Sequence, residues 1–466
     1  MSWLHNNILL PFFEPERHRG LGGRLRRLQR FEAAPEAEQR AQQAALVSRI
    51  LHHAYQTVPF YRREFESLGS HPNDWSPGQP LPLPITGREH LRDNQAEMIS
   101  QKFRASDLRT ASTGGTTSTP VQLKRNLEGL RDKTALQYHL NRWAGYDQGD
   151  STLLVWGAES DLSRDPSWKR RMYDEVLMGR IPAPAGQISR AVLENFRRRM
   201  DRYRPEVVFG YGVTMSLLAE FLLIDGGLQH RPRTAIVTAE AITAEQKKLI
   251  ERAFECPVWE HYGSREVGMV ASECEYHSGL HFHPTGCLVE LRYEGEVQDG
   301  PMYRLILTDL LNYGLPLLRY DTGDNVLLAD GNCACGRWFP RVKSILGRAM
   351  DTFIMADGTE IPGLSVNNNI IELMHGFRHI TKLQVVQKKV DFCEVRYVTV
   401  GNEGETTNEL ALVRKALQKV FKTPVHCEMV RVEDIPRAAS GKLRLCISEV
   451  TRAPRVGVPR PAGIAG

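Results

Sequence analysis

No stretch of this chain approaches the ~20 consecutive apolar residues that a membrane helix requires. The opening thirteen residues hold one short apolar stretch, ILLPFF, interrupted by Pro11. They lack the charged start and small-residue cleavage site of a secretory leader, so a cytoplasmic location is expected. Cysteine is sparse, with 8 in 466 residues, which excludes a disulfide scaffold. A dominant charge sign is also missing. The 60 basic and 55 acidic residues leave a net charge of +5, so neither nucleic acid nor a membrane surface is expected as a partner. Arg24, Arg26, Arg27 and Arg30 read as a solvated helix face. With 38 Gly and 26 Pro, collagen-like and low-complexity classes are excluded. At roughly 100–200 residues per domain, the length suggests two to four domains.

What is present is an ordered alternation of helices and strands. Glu36 to Thr57 reads as a helix, with Ala45, Leu46, Ile50, Leu51 and Ala54 on one face. A proline-rich connector follows at Pro77, Pro80, Pro82 and Pro84. Further on, the pattern predicts a helix over Arg190–Tyr203, a strand over Glu206–Phe209, a helix over Thr214–Ile224 and a strand over Thr234–Thr238. Thr243 and Gln246 form a capping box for a helix to Phe254, and Pro257–His261 reads as another strand. This is the pattern of a parallel, doubly wound sheet, in which ligands sit beyond the carboxyl ends of the strands. Those ends read Gly210-Tyr211-Gly212, Thr238-Ala239-Glu240 and Tyr262-Gly263-Ser264-Arg265-Glu266.

Leu288 to Leu328 turns strand-rich, and a break follows near Gly347-Arg348. Beyond it, strands over Leu383–Val400, an amphipathic helix over Glu405–Phe421 and a strand over Val425–Val432 make a small α+β unit. The expected fold class is α/β. A large N-terminal domain of doubly wound sheets with a β-rich subdomain spans 1–347, a small α+β C-terminal domain spans 348–450, and residues 451–466 form a disordered tail.

Three segments carry chemistry. In Ser112-Thr113-Gly114-Gly115-Thr116-Thr117-Ser118-Thr119-Pro120, six of nine residues bear hydroxyls and two are Gly. Backbone N–H groups freed by Gly, together with hydroxyls, suit phosphate oxygens. It is not a Walker A loop, which needs GxxxxGK[ST]. Asp321-Thr322-Gly323-Asp324 reads as a turn after the strand-like LPLLRY, and a carboxylate there suits a ribose diol, although Asp and Gly favour turns for their own reasons. Ser440-Gly441-Lys442, in the loop IPRAASGK, can deliver a positive charge to a phosphate or carboxylate. A fourth pattern suits a metal. CEYHSGLHFH holds Cys274, His277, His281 and His283, and NCACGR holds Cys333 and Cys335. Three thiolates and one imidazole suit tetrahedral zinc in a closed, structural site.

Taken together, these motifs and their order resemble the acyl-adenylate-forming superfamily, and within it phenylacetate–CoA ligase and its capsule-biosynthesis-type relatives, from about Pro59 to Leu445. The resemblance implies ATP and Mg²⁺ as cofactors, a small carboxylic acid, aromatic or related, as substrate, and CoA as acyl acceptor. A carrier-protein thiol or an amine is the alternative acceptor, and a non-catalytic nucleotide-binding protein is the rival of another class. The C-terminal domain would act as a mobile lid, and the chain is expected to work as a monomer or homodimer. The hydroxyl-rich loop, including Ser112, Thr113, Gly114, Gly115 and Thr116, would hold phosphate, with Thr117 among the catalytic groups. Ala239 and Glu240 match the adenine motif, with Thr238 in place of Gly. By the match to the Tyr-Gly-x-Thr-Glu motif, Tyr262 stacks on adenine, Gly263 and Ser264 line the nucleotide, and Glu266 holds Mg²⁺. Asp324 would bind the ribose hydroxyls, Arg348 would contact the nucleotide, and Lys442 would be the catalytic lysine. Trp143, Tyr211 and His261 are expected near the acyl pocket. The resemblance selects His281, in a Gly-Leu-His triplet, over His277 as the partner of Cys274, Cys333 and Cys335. The chain departs from the family in three further places. Thr117-Ser118-Thr119-Pro120 replaces Thr-Gly-Lys-Pro, Arg265 replaces the motif Thr, and Met350, beside Asp351, stands where a hinge Asp or Lys is usual.

Overall fold

A computed structural model describes residues 5–13, 15–112, 122–156, 174–175, 179–184, 190–224, 226–239, 242–297, 300–348, 352–357, 359–362, 366, 370, 373–374, 377–400, 403–421, 423–435 and 445–450. It divides into two compact units. One comprises residues 1–291, 306–322 and 328–344, and the other 292–305, 323–327 and 345–466.

In the first unit, helices α1 (Leu21–Ala33) and α2 (Glu36–Thr57) precede the hairpin of β1 (Leu108–Ser112) and β2 (Gln122–Asn126). Helix α3 (Leu127–Trp143) follows directly. Pro35 is the residue just before α2, with the extended ψ of 147° that a cap requires. Next come β3 (Thr152–Trp156), β4 (Arg180–Pro184), α4 (Arg190–Tyr203), β5 (Val207–Tyr211), α5 (Gly212–Ile224), β6 (Thr234–Thr238), α6 (Ala244–Phe254) and β7 (Val258–Ser264). The expected alternation is there, and it is parallel. β3 pairs with β4 and β5, β5 with β6, and β6 with β7, all in parallel register.

Strands β5 and β6 are buried at every position, as a sheet covered on both faces demands. Alternate residues go to opposite cores. Val208, Ala235 and Val237 pack with Phe196, Leu218, Leu222 and Phe254 from the helices. Val207, Phe209 and Ile236 pack with Tyr146 and Trp259 on the other face. Thr243 caps α6, its hydroxyl accepting the Gln246 N–H at 3.1 Å while the Gln246 side chain accepts the Thr243 N–H at 2.9 Å.

After β7 the sheet turns antiparallel through β8 (Gly268–Glu273) and β9 (Leu280–Phe282). In strand order β13 (Arg341–Arg348), β12 (Tyr320–Leu328), β11 (Gly300–Asp309) and β10 (Cys287–Val297) follow β9, completing eleven strands. The Asp321–Asp324 segment, read from its composition as a turn, lies inside β12. The ladder overrides the turn preference. Gly323 absorbs the irregularity at φ 79°, and its carbonyl accepts from Arg304 at 2.7 Å.

The second unit holds a four-stranded sheet in the order β18 (His426–Arg431), β17 (Phe392–Thr399), β16 (Ile380–Lys389), β19 (Cys446–Ser448). β16 and β17 pair antiparallel, while β18 and β19 add in parallel. Helix α7 (Glu403–Phe421) contributes Val413, Leu417 and Phe421 to a core with Leu383, Val385 and Val395. Among the described residues, no helix is long and apolar enough to cross a membrane.

Candidate active site and metal centre

The parallel register brings the carboxyl ends of β5, β6 and β7 to one edge of the sheet. Tyr211 pairs with Thr238, and Val237 with Glu260. Tyr211 is buried at the last position of β5. Ala239 is exposed and held at φ 68°, a left-handed backbone that L residues adopt only where the surroundings impose it. Thr238, which stands where the family has Gly, is buried and donates its hydroxyl to the His261 carbonyl at 3.2 Å.

Beyond β7 the chain turns tightly into β8. Gly263 is required there, because a Cβ would lie 2.6 Å from the Gly268 carbonyl oxygen. Tyr262 is buried with its ring 5.8 Å from Phe282. Ser264 accepts the Val267 N–H at 3.3 Å, and Arg125 donates to the Arg265 carbonyl. Glu266, at this turn, is buried. His261 is buried against Phe209, and neither ring nitrogen has a hydrogen-bond partner. Burial pushes its pKa down to about 4 against an opposing pull from Glu273.

A charged cluster that the sequence reading missed lies behind these strand ends. Lys247 of α6 reaches Glu273 at 2.6 Å and Glu260 at 3.9 Å. Burial, with Glu273 nearby, pushes Glu260 up to about 7. Its residues come from three elements with no shared spacing, so no motif marks them.

Several candidates are less accessible. Thr113, Gly114, Gly115, Thr116, Thr117, Ser118, Thr119, Pro120, Glu240, Met350, Asp351 and Lys442 lie outside the described residues, as does the 451–466 tail. Ser112 ends β1 and Arg348 ends β13, with their side chains outside the description. Asp324 lies in the part of β12 that belongs to the second unit. Trp143 ends α3, and its ring stacks on Phe339 at 6.2 Å, with Arg337 4.5 Å above it and His281 and His283 at its edge.

Those histidines lead to a candidate metal centre. The donor atoms of Cys274, His281, Cys333 and Cys335 all lie within 4.8 Å of one another. Cys274 Sγ is 3.5 Å from Cys333 Sγ, and Cys335 Sγ is 3.6 Å from His281 Nε2. The first distance is far beyond the ~2.05 Å of a disulfide. Both match edges of a tetrahedron around an ion with Zn–S near 2.3 Å and Zn–N near 2.0 Å. The donor set therefore fits zinc. Short backbone connections build it. Arg341 of β13 pairs with His281 of β9, which carries the preceding Cys333–Cys335 segment to the end of that strand. Gly279 allows the approach, since a Cβ there would fall 2.3 Å from the Val342 carbonyl oxygen. Burial, with Arg341 and Arg337 nearby, pushes His281 down to about 4. His277 is directed elsewhere. Its Nδ1 is 3.2 Å from Glu273, and its ring lies 4.5 Å from that of Trp259.

Known proteins share this architecture. A family model described as the CapK C-terminal domain matches residues 358–449. Phenylacetate-coenzyme A ligase of Thermus thermophilus is 25% identical over 455 residues, covering 89% of this chain and 97% of that protein. Protein CapK of Staphylococcus aureus is 24% identical over 371 residues, covering 79% and 80%. The chain is similar over most of its length to proteins named phenylacetate-coenzyme A ligase and CapK. Its fold agrees with that similarity. The structure of 2-hydroxyisobutyryl-CoA ligase in the postadenylation state, in complex with R3-HIB-AMP, superposes with a TM-score of 0.68 at 18% identity, covering 89% of this chain and 90% of that one.

Proposed function

We propose that this chain is an AMP-forming acid–thiol ligase that converts a small carboxylic acid, aromatic or related, to acyl-AMP and then to acyl-CoA. The observation that carries the reading is the edge formed by Tyr211, Thr238-Ala239 and Tyr262-to-Glu266 at the carboxyl ends of three parallel strands. In open α/β sheets that edge binds the ligand, and relatives named phenylacetate-coenzyme A ligase span most of the chain.

The chemistry follows from the weakness of a carboxylate as an electrophile, whose leaving group would be oxide. A substrate carboxylate oxygen attacks the α-phosphorus of ATP. The bond to the bridging oxygen breaks, and pyrophosphate leaves. A thiolate then attacks the acyl carbon of the mixed anhydride and AMP departs. Negative charge on the α-phosphate oxygens is the barrier to offset, and preorganised cations are the effective remedy. Glu266 is the residue that would hold Mg²⁺, whose Lewis acidity lowers that charge when bound. Lys442 would supply the second positive charge, and the hydroxyls of the Ser112–Thr117 loop would supply hydrogen bonds. Tyr262 would stack on adenine beside Ala239 and Glu240, with Gly263 and Ser264 at the turn. Asp324 would take the ribose hydroxyls and Arg348 would reach the nucleotide. Tyr211 and His261 would wall the acyl pocket; Trp143, ringed by Phe339, His281 and His283, would brace the metal centre. That centre, Cys274, His281, Cys333 and Cys335, would hold a saturated structural zinc. Residues 348–450, which contain the matched CapK C-terminal domain, would form the lid.

Pyrophosphate release measured across a panel of aromatic and short aliphatic acids, with and without CoA, tests the reading. Release with one acid class, and a CoA-dependent thioester product, is expected. Release without a CoA thioester would shift the acceptor to a carrier-protein thiol or an amine. No release with any acid would leave a nucleotide-binding protein without ligase activity.

A further inference from the structure

We propose that Glu32, His139 and His283 form a second divalent-metal site, of the zinc class, distinct from the cysteine centre. Glu32 sits in the last turn of α1, His139 near the end of α3, and His283 directly after β9. Their donor atoms lie within 4.8 Å of one another. Glu32 Oε1 is 2.8 Å from His139 Nε2 and 3.5 Å from His283 Nε2.

At such distances a hydrogen-bonded triad would be the simpler arrangement, but the directions do not support it. Glu32 Oε1, His139 Nε2 and His283 Nε2 are buried and form no hydrogen bond, and His139 Nδ1 is likewise unpaired. A buried polar atom left unpaired costs ~1–3 kcal/mol, so this cluster is expensive as it stands. A carboxylate oxygen and two imidazole nitrogens gathered within 4.8 Å, none with a hydrogen-bond partner, are a set that a bound ion would satisfy. The other ring nitrogen of His283 is held from outside the cluster: Nδ1 accepts the Thr285 backbone N–H at 3.3 Å and lies 2.8 Å from Thr285 Oγ1.

Two imidazoles and one carboxylate suit Zn²⁺, whereas Mg²⁺ and Ca²⁺ take oxygen ligands. Both imidazoles are buried, walled by Phe31, Trp143 and Phe339. The Glu32 side chain is 20% exposed, which gives an ion access and leaves room for water as the fourth ligand. The ion would tie α1, α3 and the end of β9, three segments distant in the chain. One strand end would then serve both centres, through His281 and His283.

The test is zinc content by mass spectrometry on protein dialysed against Zn²⁺ and then against metal-free buffer. Glu32→Gln, which keeps the side chain's size, is expected to hold one equivalent fewer than the wild type, with the same circular dichroism. Zinc content unchanged in Glu32→Gln overturns the proposal. Cobalt loading reads the same site with its ligands intact. In Cys333→Ser/Cys335→Ser, Co²⁺ should give visible d–d bands without a sulfur-to-metal charge-transfer band, and these should vanish when Glu32→Gln is added. Absence of d–d bands from a folded cysteine variant also overturns the proposal.

Discussion

At the carboxyl ends of β5, β6 and β7, the candidate residues occupy the last strand positions, as Tyr211 and Tyr262 to Ser264 do, or follow directly after them, as Ala239 and Glu266 do. Cys274, His281, Cys333 and Cys335 instead converge within 4.8 Å, with three of the four buried. The two regions use their residues differently. The strand ends keep polar groups and a left-handed Ala239 at an edge that the strands themselves already hold in place. The cysteine–histidine cluster spends its polar groups on one another. Substitution at the first should therefore cost rate, and at the second, stability.

The largest effect should come from Cys333→Ser/Cys335→Ser. Loss of a structural metal belongs to the mechanisms that reach ~4 kcal/mol or more. Denaturant unfolding should show a loss of that order, together with loss of one equivalent of zinc. A variant as stable as the wild type would erase the contrast. His261 should cross the divide, a strand-end residue that affects stability. Its folded pKa of about 4 lies below the ordinary 6.5. The unfolded chain therefore binds the proton first as pH falls. Stability present above pH 6.5 is lost between 6.5 and 4, by about 3 kcal/mol. Unfolding midpoints at pH 7 and 4.5 should accordingly differ less in His261→Phe than in the wild type; an equal difference would remove His261 from the account. Glu266→Gln should lower acid-dependent pyrophosphate release ~10²-fold or more, with little change in melting temperature. A comparable fall in melting temperature would make Glu266 structural. Thr238→Val should be mildest, costing ~1 kcal/mol of stability through the lost hydroxyl bond to His261. A loss of several kcal/mol would mean that this one bond holds the strand ends.

The parallel core was legible because period and punctuation agree. Thr234–Thr238 is a strand with the predicted bounds, and Thr243 and Gln246 form the predicted cap. Asp321–Asp324 was misread, because Asp and Gly prefer turns while the ladder of β12 takes them in, with Gly323 at φ 79°. Cys333 and Cys335 were legible as a Cys-x-Cys pair, with Cys274 upstream beside histidines, and the resemblance selected His281. Glu32, His139 and His283 left no trace, since a spacing signal needs ligands that are near in sequence.

The opening absences can be read again in that light. Few cysteines and little net charge excluded a disulfide scaffold and a basic surface, and local periodicity determined the strands, the helices and the order of the motifs. Those depend on neighbours within a few residues, where side-chain sterics and hydrogen bonds act directly. Which histidine turns to the cysteines, which to Glu273 and which to Glu32 was decided only by the pairing of β8, β9 and β13 and the packing of α1 and α3 around them. Such contacts join residues far apart along the chain, and no local preference encodes them.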